Sequence, residues 1–375
     1  MVAISLPPPI WVDRPQALRQ AIDRLSVQPI LAVDTESNSL YAYRERVCLI
    51  QFSFAETDYL IDPLALTDLS GLEAIFADPA IEKVFHAAEY DLICLKRDFG
   101  FHFANLFDTM QAARILGRPA IGLGSLLKEE FGLNIDKRFQ RANWGQRPLP
   151  AEMLSYARLD THYLIALRNR LYEALEARGL LPLAQEDFRR ACSVNGKAGN
   201  GESDPLWRIS GTQELDPRQM AVLNELVKYR EERAREADLP PFKVLDNQAL
   251  LAIARALPRS REELIRAVRL SDRQLQRHGD ELLAAVQRGL RANPPHRPQS
   301  SPYDEALVAR MEALRTWRRD KGLEWGVESD VILPRDVMQA IAERGPRSLD
   351  ELAAVMSDLP WRLEHFGAEI LKVLP

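Results

Sequence analysis

The sequence predicts a mixed α/β domain followed by two small all-α domains. Short apolar runs alternate with helical patterns up to about residue 190, the signature of a sheet flanked by helices. Two stretches, ACSVNGKAGNGESDPL around 191–206 and RANPPHRPQSSPY at 291–303, lack periodicity and read as linkers. Beyond each of them the pattern is helical. The expected domains are therefore 1–190, 207–290 and 304–375, joined by those linkers.

In the first domain strands are expected near 30–35, 46–54, 58–62, 82–87 and 104–107. Helices are expected near 16–25, 68–77, 89–98, 123–131 and 150–178. The second part opens with Asp216-Pro217 as N-cap and first turn, and Met220, Leu223, Leu226 and Val227 follow on one stripe. The third part repeats the second. Pro258-Arg259-Ser260 recurs as Pro346-Arg347-Ser348, each serine three residues before a glutamate (Glu263, Glu351), a capping-box spacing that starts a helix. At the same offset Leu250, Ile253 and Gly279 meet Met338, Ile341 and Gly367, as in a diverged tandem repeat.

Composition narrows the function classes. A chain of 375 residues with ordinary apolar and charged content is neither disordered nor fibrous. Cys48, Cys94 and Cys192 are odd in number and widely spaced, which indicates neither a disulfide framework nor a structural zinc site. No apolar run approaches the roughly 20 residues of a membrane span, and the N-terminus lacks a basic stretch before an apolar core. A soluble, unexported protein of the reducing cytoplasm is expected, with no membrane partner. The net charge of -5 argues against a general electrostatic grip on nucleic acid. Its distribution is uneven, however: residues 207–290 carry 15 Lys and Arg against 13 acids, and Arg259, Arg261, Arg266 and Arg269 cluster there. They face either phosphates or solvent.

The chemistry concentrates in the first domain. Asp34 and Glu36 end the apolar run Ile30-Leu31-Ala32-Val33, and at i and i+2 of a strand they point to one face, close enough to repel. Asp91 falls in the first turn of the helix that follows Phe85-His86-Ala87. Tyr156 and Asp160, four apart, project from one face of the helix that starts near Pro150. Taken singly, these patterns belong to solvated surfaces, helix dipoles and routine hydrogen bonds. Together Asp34, Glu36, Asp91 and Asp160 gather about four negative charges, and hard oxygen donors of that kind select Mg²⁺ or Mn²⁺. Two such ions about 3.5–4 Å apart clamp the attacking and leaving oxygens of a phosphoryl displacement.

The order Asp34-x-Glu36, then Phe85-His86-Ala87-x-x-x-Asp91-Leu92, then Tyr156-x-x-x-Asp160 resembles the three exonuclease motifs of the DEDD superfamily, in its tyrosine branch. Leu49-Ile50-Gln51, Asp108-Thr109 and the stretch from Ala142-Asn143-Trp144 to Leu149 are similar to the ribonuclease D family in particular. The helical parts resemble the tandem HRDC domains of that family. The resemblance implies a ribonuclease H-like mixed-sheet exonuclease domain followed by two HRDC-like domains. It implies a 3'-5' exoribonuclease with two Mg²⁺ or Mn²⁺ ions, acting on single-stranded RNA 3' ends such as those of tRNA precursors. In it Asp34, Glu36 and Asp160 hold the metal that activates water, Asp34 bridges to a second ion supported by Asp91, and Tyr156 orients the water.

Thr35, Ser37, His86, Gln140, Arg141 and Trp144 are the candidate substrate contacts. Ser37 departs from the family, which carries an aromatic residue there. The loop bearing Gln140, Arg141 and Trp144 has two open readings, one in which it meets phosphate and stacks a base and one in which it packs on the long helix. His162 is expected to turn away from the site. A DNA exonuclease and a non-catalytic nucleic-acid scaffold are the competing functions, and a monomer is the expected state.

Overall fold

The computed structural model describes residues 6–193, 204–296 and 304–375. Most of the two expected linkers, at 194–203 and 297–303, lies outside the described residues. The described residues fall into two compact bodies, one of residues 6–36, 47–193 and 304–375, the other of residues 37–46 and 204–296.

The α/β part of the first body contains β1 (Ile10–Val12), α1 (Pro15–Leu25), β2 (Ile30–Ser37), β3 (Val47–Phe54), β4 (Thr57–Ile61), α2 (Glu73–Ala77) and β5 (Glu82–Phe85). It continues through α3 (Glu89–Phe99), β6 (Leu106–Asp108), α4 (Thr109–Ile115), α5 (Leu123–Phe131), α6 (Ala151–His162), α7 (Leu164–Ala177) and α8 (Leu181–Cys192). The six strands form one mixed sheet in the order β1-β4-β3-β2-β5-β6. β3 and β4 are antiparallel with Gln51 opposite Leu60, whereas β2, β5 and β6 run parallel, with Ala32 opposite Val84 and Phe85 opposite Asp108.

β3 reads Val-Cys-Leu-Ile-Gln-Phe-Ser because it is buried on both faces, where a strand loses the alternation of a half-solvated one. One face joins the main core around Leu31, Val33, Ile50, Phe52 and Phe85. Under α6 a second cluster forms from Leu49, Leu60, Trp144, Met153, Tyr156 and Ala157. That arrangement sets α6 against the end of β2 where the two acids stand.

The structure corrects several expected elements. β1, α4 and α8 were not anticipated, and the helix expected at 68–77 is a 3-10 turn at Ser70–Leu72 followed by α2. The single helix expected at 150–178 is two, α6 and α7, parted at Tyr163. Its last turn is tied sideways to the sheet: the Thr161 hydroxyl lies 2.7 Å from that of Ser53, and His162 Nδ1 donates to Asp58 at 2.9 Å.

The second body holds α9 (Pro217–Glu236), α10 (Pro241–Val244), α11 (Asn247–Ala256), α12 (Arg261–Ala267) and α13 (Asp272–Arg291). α9 begins as the sequence predicts, with Asp216 and Gln219 in a reciprocal capping box and Met220, Leu223, Leu226 and Val227 buried. The third helical set, α14 (Glu305–Trp325), α15 (Ser329–Ile332), α16 (Arg335–Arg344), α17 (Leu349–Val355) and α18 (Pro360–Val373), belongs to the first body. Ser260 and Ser348 each accept the expected N–H, from Glu263 and Glu351. The glutamates reach one residue further back than in a capping box, accepting the N–H of Arg259 and Arg347 at 2.7 Å, and the shared deviation marks the two sets as repeats.

Candidate active site

The site is built at the end of β2. Strand alternation places Asp34 and Glu36 on one face, and α6 brings Asp160 against them: carboxylate oxygens of the three lie within 4.8 Å of one another. All three keep part of their surface open to solvent. Asp91, in the first turn of α3, is 8% exposed and stands outside that close set, yet its charge acts on both Asp34 and Glu36.

Asp91 is held by Thr35, whose hydroxyl donates to its carboxylate. The residue between the two β2 acids thus positions a third acid. The turn that delivers Asp91 is itself held. Ala87 adopts a left-handed φ of +63°, a conformation costing an L-residue roughly 1–2 kcal/mol. Asp108 offsets that cost by accepting the N–H groups of Ala87 and Ala88 at 3.0 and 2.8 Å while capping α4 through Met110 at 2.8 Å and Gln111 at 3.2 Å. Asp108 was missed as a site-building residue, although an aspartate at a strand end followed by Thr109 and an apolar helical pattern is a readable cap signal.

On α6, Tyr156 is 7% exposed and hydrogen-bonded to Asp160. The helix is fixed from behind by the Ser53, Thr161 and Asp58 cluster, in which Ser53 Oγ donates to Asp58 at 2.7 Å. His162 joins this cluster through Asp58, and so turns away from the acids as expected.

Burial first, and then the negative charges of their neighbours, hold Asp34 and Glu36 well above the usual carboxylate range. Burial pushes Asp91 and Asp160 up to about 7, against the lowering hydrogen bonds from Thr35 and Tyr156 respectively. The phenol of Tyr156 is also driven upward, by burial and then by Asp160, Glu36 and Asp34. Acids crowded in this way are stabilised in their ionised form by a cation placed among them. The donor set fits a hard divalent ion, since its close members are carboxylates alone, with neither nitrogen nor sulfur among them.

The candidate substrate contacts divide. Gln140 and Arg141 are exposed. Trp144 is 1% exposed, its ring 6.1 Å from that of Tyr156, so the packing alternative describes it and the stacking one does not: a base needs an open aromatic face. Its loop is clamped to the sheet by Arg147, which grips Asp62 at 2.6 and 2.7 Å and the Cys48 carbonyl at 2.7 Å. Ser37 donates to Glu45 at 2.8 Å. His86 Nδ1 lies 2.9 Å from the Thr109 hydroxyl, whose proton goes to the Phe85 carbonyl. The imidazole must then donate from Nδ1, which leaves Nε2 as its acceptor. Burial lowers the His86 pKa and keeps this neutral form.

Among the described residues no helix is long and apolar enough to cross a membrane. All three cysteines are free.

Residues 9–176 match the 3'-5' exonuclease family, and residues 219–286 and 308–374 each match the HRDC domain. The chain is 35% identical to the exosome complex exonuclease RRP6 of Saccharomyces cerevisiae over 67% of its own length and 36% of that protein's. It thus spans about a third of the length of the RRP6-type relatives. Ribonuclease D of Pseudomonas paraeruginosa is 29% identical over 99% of both chains. Among solved structures, Escherichia coli RNase D, an exoribonuclease involved in structured RNA processing, aligns with a TM-score of 0.70 at 28% identity, covering 98% of this chain and 99% of that one. The catalytic core of RRP6 from Trypanosoma brucei aligns with a TM-score of 0.66 at 29% identity, over 77% and 81%. With the acids of all three motifs gathered at one strand end and two HRDC domains following, residues 9–176 belong to the 3'-5' exonuclease family, and the chain has a ribonuclease D-like arrangement of domains.

Proposed function

We propose that this protein is a metal-dependent 3'-5' exoribonuclease that trims single-stranded RNA 3' ends, with tRNA precursors as natural substrates, acting as a monomer in a reducing cytoplasm. The catalytic work falls to residues 1–190, with the two helical domains at 207–290 and 304–375. The observation that carries this reading is the meeting of Asp34, Glu36 and Asp160 beside Asp91 and the phenol of Tyr156. The preference for RNA leans on the whole-length likeness to ribonuclease D.

Asp34, Glu36 and Asp160 would hold one divalent ion, and Asp34 with Asp91 a second, Mg²⁺ or Mn²⁺ in each place. When bound, such ions supply charge neutralisation at the phosphate and a lower pKa for water. The reaction is hydrolysis of the terminal phosphodiester. Water adds to phosphorus, the bond to the 3' oxygen of the preceding nucleotide breaks, that oxygen takes a proton, and a nucleoside 5'-monophosphate leaves.

Tyr156 is no general base in this scheme, because burial and the surrounding acids keep its proton in place at neutral pH. With that proton directed to Asp160, the phenol oxygen has lone pairs left to accept a hydrogen bond from water and aim it at phosphorus. His86, donating through Nδ1, offers Nε2 to a ribose hydroxyl. Gln140 and Arg141 serve as phosphate contacts.

End-labelled RNA and DNA strands incubated with Mg²⁺, Mn²⁺ or EDTA test the proposal. Stepwise shortening of RNA from the 3' end, stopped by EDTA, is expected. Internal cuts or shortening from the 5' end would remove the proposed mode, and equal speed on DNA the proposed substrate. Full activity in EDTA would remove the metals.

A further inference from the structure

The two helical repeats align at the offset that takes Pro258 to Pro346, yet their last helices begin differently. In the first repeat α13 is self-capped: Ser271 accepts the Gln274 N–H at 3.2 Å and Gln274 accepts the Ser271 N–H at 3.0 Å. In the second repeat the same two positions are Leu359 and Arg362. Leu359 is buried in the apolar core and offers no cap.

The orphan N–H groups at the start of α18 are taken up by Glu186, which lies on α8 of the α/β domain. Its Oε1 accepts from Trp361 N at 2.5 Å and from Arg362 N at 3.4 Å. The Arg362 guanidinium donates back to Glu186 Oε2 and Asp187 Oδ2 at 2.9 Å each, and to the Val331 carbonyl at 2.9 Å. Both Glu186 and Arg362 are 0% exposed. Each is then the condition for burying the other, since a buried charge without its partner is strongly unfavourable. Around this pair Arg190 grips Asp336 at 2.6 Å and also Asp358, while Arg114 reaches Glu328 and Asp330 at 2.5 Å each.

The surface of the second repeat has diverged in the same direction. Residues 304–375 carry 10 Lys and Arg against 14 acids, and of the positions equivalent to Arg259, Arg261, Arg266 and Arg269 only the first stays basic, as Arg347, the others being Leu349, Ala354 and Ser357. A domain with that net charge has no general electrostatic attraction for a polyanion.

We infer that the second helical repeat is a fold element of the catalytic domain, capped in trans by Glu186, and that it takes no part in gripping nucleic acid. The first half stands on the contacts alone, and the second rests on the activity proposed above.

Hydrogen exchange on the full chain in rising urea tests the first half. The amides of α18 should open together with those of α8, and Glu186→Gln should lower α18 protection at least tenfold while α13 is unchanged. Opening of α18 ahead of α8 in the wild-type chain would overturn the inference, whether or not the variant folds. So would unchanged α18 protection in a folded variant.

Fluorescence anisotropy with a labelled single-stranded oligoribonucleotide in EDTA tests the second half. Arg315→Glu combined with Arg319→Glu, both exposed on α14, should leave Kd within twofold. A larger weakening would overturn it. No binding by the wild-type chain would sink the RNA reading with it and leave the exchange result standing.

Discussion

Stripped of divalent ions, this fold should weaken as pH rises through the neutral range, and removing one site acid should repair it. The sign follows from the raised carboxylates. Well below the ordinary aspartate pKa of about 3.9, Asp91 and Asp160 are protonated folded and unfolded alike, and nothing is lost. As pH rises the unfolded chain ionises at its ordinary pKa while Asp91 and Asp160 in the fold resist until about 7, so the stability they contribute drains away across that window. A shift from 3.8 to about 7 corresponds to about 4 kcal/mol per group if it acted in full. Water reaches the partly open pocket and the acids share their protons, which brings the expected loss for the whole cluster to about 2–4 kcal/mol. Coulomb's law gives the same order: charges within 4.8 Å at an effective dielectric of 20 repel by about 3 kcal/mol. Asp160→Asn deletes one of these charges. Thermal melts in EDTA at pH 5 to 8 should show the variant gaining on the wild type as pH rises, by about 1–3 kcal/mol or about 2–8 °C at pH 8. Millimolar Mg²⁺ should cancel or reverse the difference, and the variant should lose hydrolysis. Other groups titrate in the same range, so the variant-minus-wild-type difference is the quantity to follow. A difference independent of pH, or a variant less stable in EDTA at pH 8, would refute the reasoning.

Three further outcomes are expected. Asp34→Ala should abolish turnover while Tyr156→Phe retains some, with kcat down about 10²-fold and KM little changed; equal losses in steady-state kinetics would remove the water-aiming role of the phenol. Thr35→Val keeps the side-chain shape but deletes the hydrogen bond to Asp91; kcat should fall about tenfold and stability by about 1 kcal/mol in urea melts. Trp144→Ala empties a site that is 1% exposed, so urea melts should lose about 3–5 kcal/mol; unchanged stability with weakened RNA binding would return Trp144 to the substrate.

The carboxylate set was legible because each member sits on a regular period. Asp34 and Glu36 obey the two-residue repeat of a strand, Tyr156 and Asp160 the four-residue repeat of a helix, and the gathering of the motifs followed from a family pattern. What stayed hidden was decided by partners distant in the chain. β1 is three residues long, too short for alternation to register. The break at Tyr163 falls where Thr161 and His162 are bonded to Ser53 and Asp58, about a hundred residues away in sequence. Trp144 offered two readings because an aromatic residue in a loop looks alike whether it faces a base or a core; only the enclosure by Leu49, Leu60, Met153 and Tyr156 separates them.

The same distinction separates the residues that would do chemistry from those that make it possible. Four acids that repel one another cannot gather themselves, so the work of assembling them must be done by groups that gain from the arrangement. Thr35 gains a hydrogen bond by donating to Asp91, Asp108 satisfies four backbone N–H groups at the turns before α3 and α4, and the Ser53, Thr161 and Asp58 cluster ties the last turn of α6 to the sheet. None of these belongs to the motif acids, and each acts within a few residues of one. The motif therefore names the charges, while the pocket's shape resides in the neutral donors around them together with the capping Asp108 and the acceptor Asp58. A chain with intact motif acids but without Thr35 and Asp108 would carry the right residues and lack the site.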